Sequence, residues 1–274
     1  NIPISYVSLG HRFYGVVHGL GSSNVELRRL QFRAAEDAGK SLVLAKNFVS
    51  AKIHNCRTLL RRNGDDADGA LAQLRDIHAR LNDARDAASL LGMEGSAARI
   101  YFSAFSKMFK PRANESVCRF DFTERNRRPP KDPVNAMLSY AYSSLAREVT
   151  AKLFAVGFDP FLGFYHRPVC GRPALALDLM EQFRPVVCDS VVLTAINKGM
   201  MNLDDFVVSG LGVVMSEKAK ERFIGCYEQR MDELTTHSLF GYRMSCRRVI
   251  EMQCRLLGSY LREEIAEYPE FLTR

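Results

Sequence analysis

The chain has 274 residues, 47% of them hydrophobic and 25% charged, with a formal net charge of +7. That length can bury a sizeable core as one large domain or two smaller ones. No apolar run stays free of charges long enough to cross a bilayer, and no basic-then-apolar secretory pattern opens the chain.

Residues 2–20 alternate around Gly10 and read as a hairpin. The chain starts at Asn1 rather than Met, and Ile2 to Leu9 already reads as a strand. The expectation is that part of a longer protein precedes it. Asn24 is a suitable N-cap, and helices are predicted over 25–38, 41–62 and 69–89, with a turn from Gly64 to Gly69. A helix is then expected from Gly95 to Met108. Periodicity disappears from Lys110 to Pro133, a basic and Pro-rich stretch. Asp132-Pro133 is a helix start, with Asp as N-cap and Pro in the first helical position, and predicts helix 134–156. Residues 157–171 read as a loop carrying His166. Two helices, 173–183 and 187–198, are expected on either side of Pro185. Phe206 to Met215 reads as a hairpin, Ser216 as a cap, and Tyr242 to Glu267 as a final helix. A small β piece followed by a mostly helical domain is the expected architecture, so the fold class is mainly α.

The seven cysteines are an odd number without a CxxC pair. Cys56, Cys118, Cys226, Cys246 and Cys254 read as small apolar residues, which suits a reducing cytoplasm better than a disulfide framework. The positive charge modestly favours a polyanionic partner.

Against this basic background, acidic and imidazole side chains stand in apolar, helix-forming stretches. Asp178 and Glu181, three apart on a predicted helix, leave from the same face. They can share a cation, or form a solvated acidic pair. Glu94 is expected near a helix start, where the helix dipole favours a carboxylate with or without a function. His166, in a loop rich in Gly and aromatics, is either structural or a ligand. Oxygen-dominated ligation with one imidazole suits Mn2+ or Mg2+. Zinc would need more than the His166 and Cys170 pair.

Candidate DNA contacts are Arg125, Arg127, Arg128 and Lys131 in the Pro-rich segment, Arg167 and Arg172 flanking His166, and Arg99. Arg248, Arg255 and Arg262 recur every seven residues. Their stripe is either a DNA face or a solvated face balanced by Glu263, Glu264 and Glu267. Backbone-phosphate contact predicts steep salt dependence and little sequence preference.

Four stretches carry a resemblance: Leu91-Gly-Met-Glu94-Gly-Ser-Ala-Ala-Arg-Ile-Tyr-Phe102, Asn126 to Tyr142, Gly157 to His166, and Arg172 to Pro185. In these the chain resembles the CRISPR-associated integrase family, the spacer-acquisition nuclease of bacterial adaptive immunity. The resemblance implies that Glu94, His166 and Glu181 are ligands of Mn2+ or Mg2+ and that Asp178 supports them. It implies joining of the 3′-hydroxyl ends of a short double-stranded DNA fragment into a repeat array by direct transesterification. The implied assembly is a homodimer that meets a small ferredoxin-like partner subunit, with a nuclease or reverse-transcriptase domain fused upstream in some relatives. Residues 1–20 would be the last hairpin of an N-terminal β-domain, and 21–274 the helical catalytic domain. Two other readings stay open. One is a metal-dependent nuclease or branched-DNA resolvase using water. The other is a non-catalytic basic DNA-binding scaffold.

Overall fold

The computed structural model describes residues 24–111, 120–126, 129–210 and 212–274, together with the backbone of strands β1 (Ile4–Val7) and β2 (Phe13–Val17), which pair antiparallel. Among the described residues, helices dominate and the sheets are two-stranded hairpins. No helix there is long and apolar enough to cross a membrane.

Asn24 starts α1 (Val25–Glu36) by accepting a hydrogen bond from the Leu27 N–H at 3.0 Å. Asp37 alone separates α1 from α2 (Ala38–Asn63), ending the first helix and capping the second through the N–H groups of Gly39 and Lys40. α2 is the axis of the molecule. It buries Leu44, Phe48, Val49, Ile53 and Leu60 against α1, α3 (Asp68–Ala79), α4 (Ala87–Ser103) and the chain around residue 181. Truncating a ring such as Phe48 to Ala would cost about 3–5 kcal/mol.

The expected helix 69–89 is not continuous. α3 ends at Ala79, and a capping box begins α4. In it the Ser89 N–H donates to the Asp86 carboxylate at 2.7 Å, and the Asp86 N–H donates to the Ser89 hydroxyl. α4 therefore starts well before Gly95, and Glu94 lies in mid-helix, away from the N-terminal dipole invoked for it.

α5 (Pro133–Val156) starts where Asp132-Pro133 predicts. α6 (Ala174–Met180) continues through a tight turn at Glu181–Phe183 and a widened turn at Arg184–Asp189 into α7 (Ser190–Asn197). The expected break at Pro185 does not occur. Pro185 lacks an N–H, and its ring would collide with the carbonyl four residues back. Widening the turn relieves both problems while the backbone stays right-handed helical at Glu181, Arg184 and Ser190. Every residue from Asp178 to Asp189 is buried.

β3 (Phe206–Ser209) pairs with β4 (Gly212–Met215) as expected, and Ser216 caps α8 (Glu217–Asp232). A hairpin not foreseen, β5 (Leu234–Thr236) with β6 (Arg243–Ser245), precedes α9 (Cys246–Leu261). The last helix is therefore shorter than 242–267 at both ends: Ser245 caps its start, and it ends at Leu261 with Arg262 as C-cap. The tail then straps α2 to the turn at 181–183. Asn55 Nδ2 donates to the carbonyls of Gln182 (2.8 Å) and Phe271 (2.9 Å), and the Phe271 N–H donates to Gln182 Oε1 (3.0 Å).

Candidate active site

Three elements meet at one lysine. α2 supplies Lys52, α4 supplies Glu94, and the turn after α6 supplies Glu181. The Lys52 ammonium pairs with Glu94 Oε1 and lies 2.7 Å from Glu181 Oε2. Glu181 is only 2% exposed, and its other oxygen makes an ion-pair contact with the Arg184 Nε at 3.0 Å. Burial alone would raise the Glu181 carboxyl, but Arg184 and Lys52 outweigh it and hold it below its ordinary range. Burial likewise opposes the Lys52 charge, and Glu181 and Glu94 more than compensate. The second Glu94 oxygen accepts from the Tyr165 hydroxyl at 3.0 Å. Burial, and then the Glu94 carboxylate, push that phenol upward, so it stays a donor.

Asp178 and Glu181, though three apart, engage different partners. Asp178 is fully buried and faces the loop before α6. Its carboxylate accepts the N–H groups of Phe164 (2.6 Å), Tyr165 (3.0 Å) and His166 (2.8 Å), and contacts His166 Nδ1 at 2.7 Å. With Nδ1–H donating to a carboxylate, the ring's lone pair is on Nε2, the tautomer a metal ligand requires. The loop can approach this closely because residue 163 is glycine. A Cβ there would fall 2.6 Å from Asp178 Oδ2 and 2.9 Å from the Ala174 carbonyl carbon.

A small cavity separates this cluster from a second buried carboxylate, with Lys52, Glu94, Tyr142, Arg184 and Asp189 among its walls. Asp189 accepts from the hydroxyls of Tyr101 (2.9 Å) and Tyr142 (2.6 Å). The Arg184 guanidinium lies 4.6 Å from the Tyr142 ring centre, with Arg125 at 5.4 Å.

The candidate DNA contacts divide. Arg99, Lys131, Arg167 and Arg172 are exposed. Arg125 is half-buried and engaged with Asn135 Oδ1 (2.6 Å) and Ser139 Oγ (3.0 Å), anchoring its own segment. Arg127 and Arg128 lie outside the described residues. Arg248 and Arg255 both pair with Glu251 (2.8 and 3.0 Å) and Arg262 lies 3.9 Å from Glu264, so that stripe is partly balanced.

Sequence reasoning missed Lys52, Tyr165 and Arg184. Lys52 had a signal: it lies four residues after Phe48 and four before Cys56, inside the buried stripe of α2. A lysine in such a stripe requires buried carboxylates to face it.

Two glutamates and one imidazole are a donor set suited to Mn2+ or Mg2+. Glu181 Oε2 is buried and lacks an aligned hydrogen bond, despite its ion-pair contact with Lys52. These residues fit a divalent cation in charge and donor type. Among the described residues, however, no three His, Cys, Asp or Glu side chains already converge closely enough to hold one. The space between Glu94 and Glu181 belongs to Lys52.

The profile of the CRISPR associated protein Cas1 matches residues 1–229. A "CRISPR-associated exonuclease Cas4/endonuclease Cas1 fusion" of Geobacter sulfurreducens is 49% identical over 280 residues, covering 100% of this chain and 50% of the relative. A "CRISPR-associated endonuclease Cas1 3" of Thermus thermophilus is 38% identical over 273 residues, covering 100% of this chain and 79% of the relative. Among solved structures, a Cas6-RT-Cas1–Cas2 complex superposes with a TM-score of 0.79 at 27% identity, covering 99% of this chain and 29% of that one. The chain thus spans about half the length of the Cas4/Cas1 fusions it matches. Matched by this profile over most of its length and by full-span relatives, the chain belongs to the Cas1 family.

Proposed function

We propose that this chain is the catalytic part of a metal-dependent DNA integrase, joining the 3′-hydroxyl ends of a short duplex into a repeat array by direct transesterification. The observation that carries this reading is the meeting of Glu94 and Glu181 at one positive group, the Lys52 ammonium, beside a histidine whose tautomer Asp178 dictates.

Glu94, His166 and Glu181 would hold Mn2+ or Mg2+, which when bound polarises a phosphoryl oxygen and lowers the pKa of an attacking hydroxyl. The remaining work belongs to the chain itself. Asp178 fixes the loop and the His166 ring through four contacts. Tyr165 orients Glu94. Arg184 keeps Glu181 charged and adds positive potential where a phosphodiester would lie. In the reaction the 3′-oxygen of the fragment bonds to phosphorus, and the phosphorus bond to the departing strand's oxygen breaks. The attacking hydroxyl's proton leaves to solvent, and the departing oxygen takes one up. No covalent enzyme intermediate is needed, so the tyrosines need not act as nucleophiles. Tyr142 accordingly spends its hydroxyl on Asp189. Exposed Arg99, Lys131, Arg167 and Arg172 suit phosphate contact with the fragment and the array.

The relatives are named as endonucleases, which favours a second reading in which water replaces the 3′-hydroxyl at the same ligands. Supplying a 3′-hydroxyl fragment with repeat-bearing DNA separates the two: joined product supports the first, cut product alone the second. The partners we propose are double-stranded DNA, a second copy forming a homodimer, and a small ferredoxin-like subunit. The Cas2 in the complex and the Cas4 of the fused relatives support association with such proteins. Glu94→Ala, His166→Ala and Glu181→Ala should each abolish strand transfer while gel-shift binding of duplex survives. Transfer at the wild-type rate by any one of them would remove that residue from the site.

A further inference from the structure

Each glutamate of the cluster turns one oxygen to Lys52 and the other to a second neighbour. Tyr165 donates a hydrogen bond to Glu94 Oε2, and Glu181 Oε1 makes an ion-pair contact with Arg184. The remaining oxygens, Glu94 Oε1 and Glu181 Oε2, both go to the same Lys52 nitrogen. The Lys52 side chain is largely buried, in the apolar stripe of α2, where an ammonium is stable only with carboxylates facing it. The match to the second of these is imperfect, because Glu181 Oε2 meets the ammonium without an aligned hydrogen bond. The converse also holds. Two carboxylates drawn this close in a buried site are unstable without a cation between them.

We propose that Lys52 is a built-in counter-ion that competes with the divalent cation for the space between Glu94 and Glu181. It ties the two glutamates when no metal is bound and is displaced when one binds. The inference rests on the divalent-ion reading above and adds to it an exchange of one positive charge for two. In consequence, the apo site stays folded and the metal affinity is held below what the same carboxylates would otherwise give. The ligands do not yet converge because Lys52 holds the space.

The test uses the full chain with Mn2+ alone, by calorimetry and thermal melting. It compares wild type with Lys52→Met and with Lys52→Gln, the latter keeping a hydrogen-bonding group should the former fold poorly. Both variants are expected to bind Mn2+ about tenfold tighter than wild type, as removal of an intramolecular competitor requires. Both should melt lower without metal and gain more melting temperature from Mn2+ than wild type does. If both bind Mn2+ no tighter than wild type and gain no more from it, Lys52 is not a competitor, while the divalent-ion reading stands. If neither wild type nor the variants bind Mn2+, that reading fails and the inference fails with it.

Discussion

Two buried carboxylates sit on one continuous helical rod, Glu181 and Asp189, with opposite electrostatic fates. Glu181 faces Lys52 and Arg184, and those cations overcome its burial and keep it charged. Asp189 faces the hydroxyls of Tyr101 and Tyr142, with Arg184 and Arg125 as weaker influences, and burial raises it to about 6. Burial alone therefore does not say whether a carboxylate can serve a cation. The neighbours decide, and point charges do what hydroxyl dipoles do not. Glu181 is built to hold positive charge, and Asp189 is built as a structural post that joins α4, α5 and the widened turn.

The largest expected contrast is catalytic. Glu181→Gln should lower strand transfer about a thousandfold or more, since a metal ligand supplies several kcal/mol of charge stabilisation. Asp189→Asn should leave transfer per folded molecule within a few-fold of wild type. Single-turnover assays read both, and comparable losses would erase the distinction drawn between the two sites. Next comes the loop clamp. Gly163→Ala places a methyl 2.6 Å from Asp178 Oδ2, so the loop must move and His166 with it. Mn2+ affinity should fall roughly 10- to 100-fold, the usual cost of losing an outer-shell partner, with an accompanying stability loss of about 1–3 kcal/mol from the buried clash.

A smaller effect is expected at the post itself. Tyr142→Phe removes one hydroxyl from Asp189 and should cost about 1 kcal/mol in urea melts. The pH dependence has a definite sign. Asp189 is raised in the folded state, so its contribution is full below its unfolded value of 3.8 and is lost as pH climbs to about 6. Without the Tyr142 hydroxyl, which favours the charged form, the upper edge of that loss should move above pH 6. An unchanged or lower edge would contradict the assignment. An effect of similar size is expected at the tail. Burial raises Glu270 to about 7, Ser50 donates to it at 3.1 Å, and the same hydroxyl contacts His78 Nε2. His54 lies alongside, bonded to the Thr273 carbonyl. Glu270→Gln should match wild type near pH 4.5 and melt higher by roughly 3 °C above pH 7, the gap opening between those values. A gap that closes as pH rises would overturn that reading of the tail.

Much of this architecture was legible because capping is local chemistry. Asn24, Asp132 and Ser216 each act on an N–H three residues ahead, within reach of a short reading window. The same chemistry was overlooked at Asp86 and Ser89, inside the single helix expected over 69–89. Pro185 misled for a different reason. A proline usually ends a helix, but in a fully buried rod, packing on both sides makes a widened turn cheaper than a break. The alternative sites for Asp178 and Glu181 turned on three-dimensional neighbours. Helix spacing put both on one face, whereas the Gly163 loop and Lys52 come from distant parts of the chain. Lys52 was the readable exception, a charge inside an apolar stripe.

The most direct measurement is anomalous diffraction at the manganese edge, from crystals of this chain grown with Mn2+. The expected result is one peak roughly 2.1 Å from carboxylate oxygens of Glu94 and Glu181 and from His166 Nε2, with the Lys52 ammonium moved off the glutamates. Manganese bound elsewhere, with Lys52 still bridging Glu94 and Glu181, would contradict it.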